Sequence, residues 1–566
     1  MKKIISVLLT VVVLASAIFC TPAIFAAKND KNINFVVGSD IHVAVAPEKA
    51  VLSEDGKFSN ADSSVALADE SKAIAQAFLQ DAAKQKPDFV LISGDLTPHG
   101  SIEEFENLAP LFKAFEKETG IQLYVIPGNH DYYSAYDNMR ELFREYFFEF
   151  GFKEAKVIDT KTNSYVVDLN SEYVLLAIDS NGIDQTGSEI TDELIDWIKT
   201  QIKAANEAGK KVIAMQHHPI MEHYALHEVI FSNFIVENWR DYSTMLADLG
   251  VELVFTGHDH ASDIASFTSA AGNTIYEVMT TALLSAPTSY RVISMSEGKV
   301  DVKSQMLKGI VDTKYLAKGY PKALINRLKT DLNGYARDYF AFGIEQLVHS
   351  YLEPDTLMEL IGTDSAVLRF AVEKICTRAH EAVFMPLYGD NSLSSIAKSY
   401  NVTLPASDYE TMFEMAMNVV LAHFEGDEKY YIDSPEVQLV LKCLNTALQY
   451  ALEGIPDGIA DIIIGKVLES FGVNVLELKF ALRGFGAQVI NTGDHSYEVV
   501  SAVLKPVLEG YIVDNGPADN NAVLSLRTTA PNAAGFESDA KAFFAKMYDF
   551  WYNFVLYTFD VFVAVI

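Results

Sequence analysis

Five short polar segments, each following an apolar run, constrain this chain more than any other feature. They read Asp40-Ile41-His42, Gly94-Asp95, Gly128-Asn129-His130-Asp131, His217-His218-Pro219 and Gly257-His258-Asp259-His260. The apolar runs before them are Ile33 to Val37, Phe89 to Ile92, Leu123 to Ile126, Val212 to Met215 and Val251 to Phe255. Runs of this length bounded by Gly, Pro or Asp are the pattern of strands buried on both faces of a layered sheet. Loops at the carboxyl ends of such strands converge on one crevice. The chain is therefore expected to gather these polar segments into a single site.

The residue types say what that site can hold. In extended backbone, residues two apart point to the same side, so Asp40 and His42 can reach one ion. His258 and His260 can reach the same ion or two neighbouring ones. Carboxylate, amide and imidazole donors suit Zn, Mn or Fe, and no Cys accompanies them. Asn129 is notable because an amide oxygen is an unusual ligand in a purely structural zinc site. Asp95, in a tight turn behind Gly94, can project a carboxylate between two ions. Two-metal sites with ions roughly 3.5–4 Å apart clamp the attacking and leaving oxygens of a displacement at phosphorus.

Taken together, the segments resemble the motif set of the calcineurin-like metallophosphoesterase superfamily, over about residues 32–304. The resemblance implies a four-layer α-β-β-α sandwich with a dinuclear site along one edge, followed here by a mainly α-helical C-terminal domain. It implies two divalent or trivalent ions (Fe, Zn or Mn). One would take Asp40, His42 and His260, the other Asn129, His217 and His258, with Asp95 bridging. It further implies that His130 contacts the phosphoryl oxygen or protonates the leaving group, that Asp131 orients the His130 ring, and that a metal-activated hydroxide attacks phosphorus. His99, His218 and His223 are candidates for substrate contact. His218 could support the ligands from behind, and a surface-loop position is the better reading for His223. Tyr132 and Tyr133 can stack on a substrate ring or simply pack. Asp179 reads as a strand-end turn residue.

Gly94-Asp95-Leu96-Thr97-Pro98-His99-Gly100 resembles the corresponding turn of the bacterial phosphodiesterase branch. Pro98 stands where purple acid phosphatases carry a Tyr, and Asp131 stands where bacterial 5′-nucleotidases typically carry Glu. The expected activity is hydrolysis of phosphodiesters on a small-molecule or lipid substrate. The alternatives are a phosphomonoesterase, a lipid phosphodiesterase similar to sphingomyelinase-like enzymes, and a non-catalytic surface binding protein.

Lys2 and Lys3, the apolar stretch Ile4 to Phe19 and Thr21-Pro22-Ala23 have the order of a secretory signal peptide, so residues 1–27 are expected to be removed on export from a bacterial cell. A net charge of −32 excludes a nucleic-acid-coating role, which needs a basic stripe. Residues 28–310 form the expected catalytic domain and 311–566 the helical one. Helices are expected over about 322–352, 355–380, 408–425, 435–452, 458–471 and 474–483, with Gly362 a possible break in the second. Residues 510–532 read as a strand-containing segment that could return to the first domain. Cys376 and Cys443 read as buried thiols. The aromatic tail, 543–566, is expected to pack as a helix rather than enter a membrane. Asp549 and Asp560 interrupt it, and a charge in a spanning helix costs about 2.5–3.5 kcal/mol.

Overall fold

The computed structural model describes residues 32–59, 65–182, 188–224, 227–230, 232–362, 365–426, 430, 434–456, 458–460, 462–463, 466, 516–527 and 531–532. The expected signal peptide, the aromatic tail, and most of the helices foreseen over 458–483 lie outside these residues.

The strands form two mixed sheets. In the first, β1 (Ile33–Gly38), β2 (Phe89–Ile92) and β3 (Gln122–Val125) run parallel. The antiparallel strands β11 (Ser289–Ser296) and β12 (Lys299–Met306) extend it beyond β1. The second sheet has the order β4-β5-β6-β7-β8-β10-β9. Here β4 is Val157–Ile158, β5 Tyr165–Asp168, β6 Tyr173–Ile178, β7 Lys211–Gln216, β8 Leu253–Thr256, β9 Asp263–Thr268 and β10 Thr274–Met279.

Side-chain alternation sorts the second sheet into two faces. Tyr173, Leu175 and Ala177 join the main core with Ile213, Met215 and Phe255. Val174, Leu176 and Ile178 face a second cluster with Leu194, Ile198 and Ile202 of the helix Asp192–Glu207. Across the gap between sheets, Phe35 meets Phe255 edge to face at 5.3 Å. The first sheet is covered by residues such as Phe78, from the helix Ser71–Lys84, and Phe105 and Phe112, from Ile102–Thr119. This is the expected layered sandwich.

The C-terminal half is helical but not self-contained. Its helices include Lys322–Thr330, Leu332–Tyr351, Pro354–Leu360, Ala366–Phe384, Met412–Glu425 and Pro435–Leu452. The first expected helix breaks at Asp331, which ends one segment and caps the next by accepting from the Gly334 N–H. The second breaks around Gly362, whose φ of 64° suits glycine. Tyr335, Tyr339 and Phe340 pack into the main core, whereas Met415, Val437 and Leu441 belong to a separate helical core. The described part of 510–532 does return: β13 (Asn521–Ser525) pairs antiparallel with β12 and takes the edge of the first sheet. Cys376 and Cys443 are buried free thiols. Among the described residues, no helix is long and apolar enough to cross a membrane.

Candidate metal centre

All five polar segments emerge at or just past the carboxyl ends of parallel strands: Asp40 and His42 after β1, Asp95 after β2, Asn129 and His130 after β3, His217 after β7, and His258 and His260 after β8. The loops are woven together. Asp40 N–H donates to Gly94 O (3.1 Å) and His42 N–H to Asp95 O (3.0 Å). Gly257 N–H donates to His217 O (3.0 Å), and His258 N–H crosses between the sheets to Asp40 Oδ2 (3.1 Å). Asp40, His42, Asp95, His258 and His260 all take positive φ. Left-handed backbone at non-glycine residues persists only where the surroundings over-determine it, commonly at functional sites.

The side chains converge. Asp40, His42 and His260 form one group whose ligand atoms lie within 4.8 Å of one another, and Asp95, His217 and His258 form another. His42, Asp95 and His130 satisfy the same limit, so Asp95 lies between the groups. Asn129 Oδ1 sits 3.1 Å from His217 Nε2, while its amide Nδ2 donates to Tyr133 OH at 2.7 Å.

The hydrogen-bond pattern shows that these residues fit a cation. His217 Nδ1 is 2.9 Å from Ser93 O, which places a proton on that nitrogen and leaves Nε2 turned toward the cluster. His217 Nε2 faces Asn129 Oδ1 (3.1 Å), Asp95 Oδ2 (3.3 Å) and His258 Nδ1 (3.1 Å), a cluster of polar atoms that a positive charge at its centre, a proton or a metal ion, satisfies. Asp40 Oδ1, Asp95 Oδ2 and His258 Nε2 are buried without hydrogen-bond partners. Titration carries the same signature. Burial would raise Asp95, yet the His217 and His42 imidazoles hold it well below the usual carboxylate range. Burial would lower His217, yet Asp95 and Asp40 push it up to about 9. His42, with burial dominant, falls to about 4, the state of a neutral ligand.

Glycines allow this crowding. A Cβ on Gly94, at φ 100°, would sit 2.5 Å from His217 Nδ1, and one on Gly128 would sit 2.1 Å from Asp95 Oδ1. His130 stands at the edge of the cluster, Nε2 4.0 Å from Asp95 Oδ2, with Nδ1 2.8 Å from Pro98 O.

Residues 33–262 match the family model described as calcineurin-like phosphoesterase. The matched segment, less than half of the chain, carries all five ligand-bearing loops. Similar proteins include the probable glycerophosphodiester phosphodiesterase GpdQ of Arcobacter nitrofigilis, 29% identical over 136 residues, 24% of this chain and 43% of that protein. A probable cyclic nucleotide phosphodiesterase of Rhodococcus erythropolis is 26% identical over 203 residues, covering 34% and 60% respectively. The chain thus spans less than two thirds of the length of either relative. A dimetal phosphatase from Danio rerio overlaps 48% of this chain and 96% of its own, at 11% identity and a TM-score of 0.35.

Several expected roles need correction. Asp131 does not orient His130. Its carboxylate accepts from the backbone N–H groups of Leu96, Thr97 and Gly128 and from the Thr97 hydroxyl, tying two ligand loops together. Pro98 O orients the His130 ring instead. His218 and His223 are both buried, so neither is placed to meet a substrate. His218 Nδ1 bonds Ser180 Oγ at 2.9 Å and its ring packs on His258 at 4.5 Å. His223 is not a surface residue either: it lies between Asp263 (3.1 Å) and Glu277 (3.2 Å). His99 is exposed, but its Nδ1 is held by Glu104 at the start of the helix Ile102–Thr119. Tyr132 is core, donating to Asp179 Oδ2 (2.9 Å), whereas Tyr133 is half exposed and lies against His130 at 4.4 Å.

One buried acid, Glu277, escaped the sequence reading, and Asp179 was read there only as a strand-end turn residue. Glu277 on β10 accepts from the N–H groups of Ile220 and Met221 and from Thr256 Oγ1. It therefore joins the loop after His217 to the strand before His258. Asp179 accepts from Tyr132, Asn163 N and Arg140. A lone acid inside an apolar strand, as in Thr274–Met279, was the available signal for the first.

Proposed function

We propose that this chain is an exported metal-dependent phosphoric ester hydrolase with two ions and a preference for phosphodiesters. The convergence of ligand atoms from Asn129, Asp95, His217 and His258 at one point carries the reading. Asp40, His42 and His260 would hold one ion, Asn129, His217 and His258 the other, and Asp95 both. Oxygen and imidazole donors without sulfur suit Fe, Zn or Mn. When bound, the ions supply Lewis acidity toward phosphoryl oxygens and a nucleophilic water near neutral pH.

The chain's own groups account for the rest. The His130 ring is fixed by Pro98 O through Nδ1, so its protonated form directs Nε2–H toward the cluster. In that position it protonates the leaving oxygen, a role typically worth about 10²–10⁴-fold. Tyr133, half exposed, lies against the His130 ring. The diester preference is supported by the turn Gly94 to Gly100 and by the names of the two relatives. Export is supported by the pattern of residues 1–27. The catalytic unit would span 28–310, with the helical half following it.

The test is turnover of bis-(p-nitrophenyl) phosphate beside p-nitrophenyl phosphate, on mature protein reconstituted with Mn, Zn, Fe or Co, with and without EDTA. Faster diester hydrolysis, abolished by chelator, is expected. A monoester preference would overturn the substrate class, and no turnover with any metal would overturn the enzyme reading.

A further inference from the structure

The loop that carries His258 and His260 leaves the second sheet at Thr256 and re-enters it at Asp263. Both ligands sit in left-handed backbone, at φ of 72° and 60°. Such a loop holds its shape only if its own polar groups are pinned from outside. Within the catalytic half, His258 N–H is pinned by Asp40 and His260 O by the Thr281 hydroxyl (2.5 Å). Gly257 N–H is held by His217 O and the Asp263 carboxylate by His223, and further pins come from the C-terminal half.

Ser262 N–H donates to Phe424 O (3.1 Å), in the last turn of the helix Met412–Glu425. The next residue, Gly426, has φ 71° and lies so close that a Cβ there would sit 2.3 Å from Ser262 O. Ile264 N–H donates to the buried carboxylate of Asp519 (2.9 Å). Asn520 Nδ2 donates to Glu425 O (2.8 Å), and Ser304 N–H donates to Asn520 O (2.7 Å). The buried Arg291 locks this junction by donating to Asp519 O (2.5 Å) and Met279 O (2.6 Å). The helix end and the segment entering β13 thus grip the ligand loop two and four residues past His260.

We infer that the C-terminal half is a working part of the metal centre: Phe424 O, Gly426 and Asp519 are positioning elements that keep His258 and His260 in register for the two ions. This rests on the functional reading above, because it concerns the same ligands. It assigns the helical half a role other than covering the site or docking a partner. Residues that orient metal ligands without touching the ion commonly control affinity by about 10–100-fold.

The test uses the full mature chain, stripped of metal and titrated with Co(II), followed by the visible absorption of the bound ion. Asp519→Ala and Gly426→Ala are each expected to weaken uptake of at least one ion by about 10–100-fold. Asp519→Asn, whose Oδ1 can still accept from Ile264 N–H, is expected to stay within about threefold of wild type. Melting of the metal-free proteins is measured alongside. Should Asp519→Ala not fold, Gly426→Ala carries the test. Wild-type cobalt affinity in the Ala variants, whatever their melting temperature, overturns the inference, as does an affinity loss in Asp519→Asn equal to that in Asp519→Ala. A wild-type chain that takes up no cobalt would instead bring down the functional reading, and the inference with it.

Discussion

The Nε2 atoms of His42 and His260 face each other 3.4 Å apart, from positions 218 residues distant in the chain. Asp40 Oδ1 lies 3.3 Å from the same His260 nitrogen. A single N–H between the two rings can serve the other nitrogen or Asp40 Oδ1, but not both. An ion between them turns the crowding into coordination. The arrangement makes the consequences of single substitutions specific.

Asp95 is placed between both ligand groups, so its loss should be felt by both. Asp95→Ala is expected to lower bound metal, counted per chain by elemental analysis, and to reduce turnover by more than about 10²-fold. Two ions retained at wild-type affinity would contradict the bridging role.

His130 should separate chemistry from binding. His130→Ala is expected to keep both ions while turnover falls by about 10²–10⁴-fold. The check is metal content and kcat measured on the same preparation. Loss of metal together with rate would make His130 a ligand.

Gly94 tests the packing behind His217. Gly94→Ala places a methyl 2.5 Å from His217 Nδ1 on backbone at φ 100°, where an L side chain is strained. His217 must shift from Ser93 O, and metal affinity is expected to fall by about 10–100-fold. Competition with a chelator of known affinity reads this directly.

Glu70 supplies a pH dependence remote from the metals. Burial pushes its carboxyl up to about 7, although Ser59 and Tyr320 donate to it. Because the folded value lies above the unfolded one, the stabilising contribution is full below about pH 4.5. It is lost as pH rises through about 7. A shift of this size corresponds to roughly 3 kcal/mol. Glu70→Gln, which mimics the neutral form, should therefore lose less stability than wild type between pH 5 and 8. Denaturant midpoints at the two pH values measure the difference, and equal slopes would refute it.

Much of the site was legible because the metal-ready residues sit in short segments at strand ends, and strand ends are marked by apolar runs and glycines. The bounds of β2 and of the helix Pro435–Leu452 coincide with the runs read from sequence. Asp131 was misread because its orienting role was carried over with the family resemblance rather than from any contact. In the fold, its carboxylate turns instead to three backbone donors from two loops. His223 was misread because nothing local reveals that Asp263 and Glu277 enclose it.

The sequence by itself determined the layered class, the loops that carry the ligands and the donor chemistry, since period, run length and residue type are local properties of the chain. Only the tertiary structure decided which lone pairs confront one another, which acids lie buried behind the ligands, and that β13 returns to close the first sheet against β12. Those depend on contacts between distant segments, where burial and hydrogen-bond satisfaction are settled by the whole core. The grip of Phe424 and Asp519 on the loop of His260 is of that kind: backbone groups and one buried carboxylate carry it, and these leave little trace in a sequence pattern.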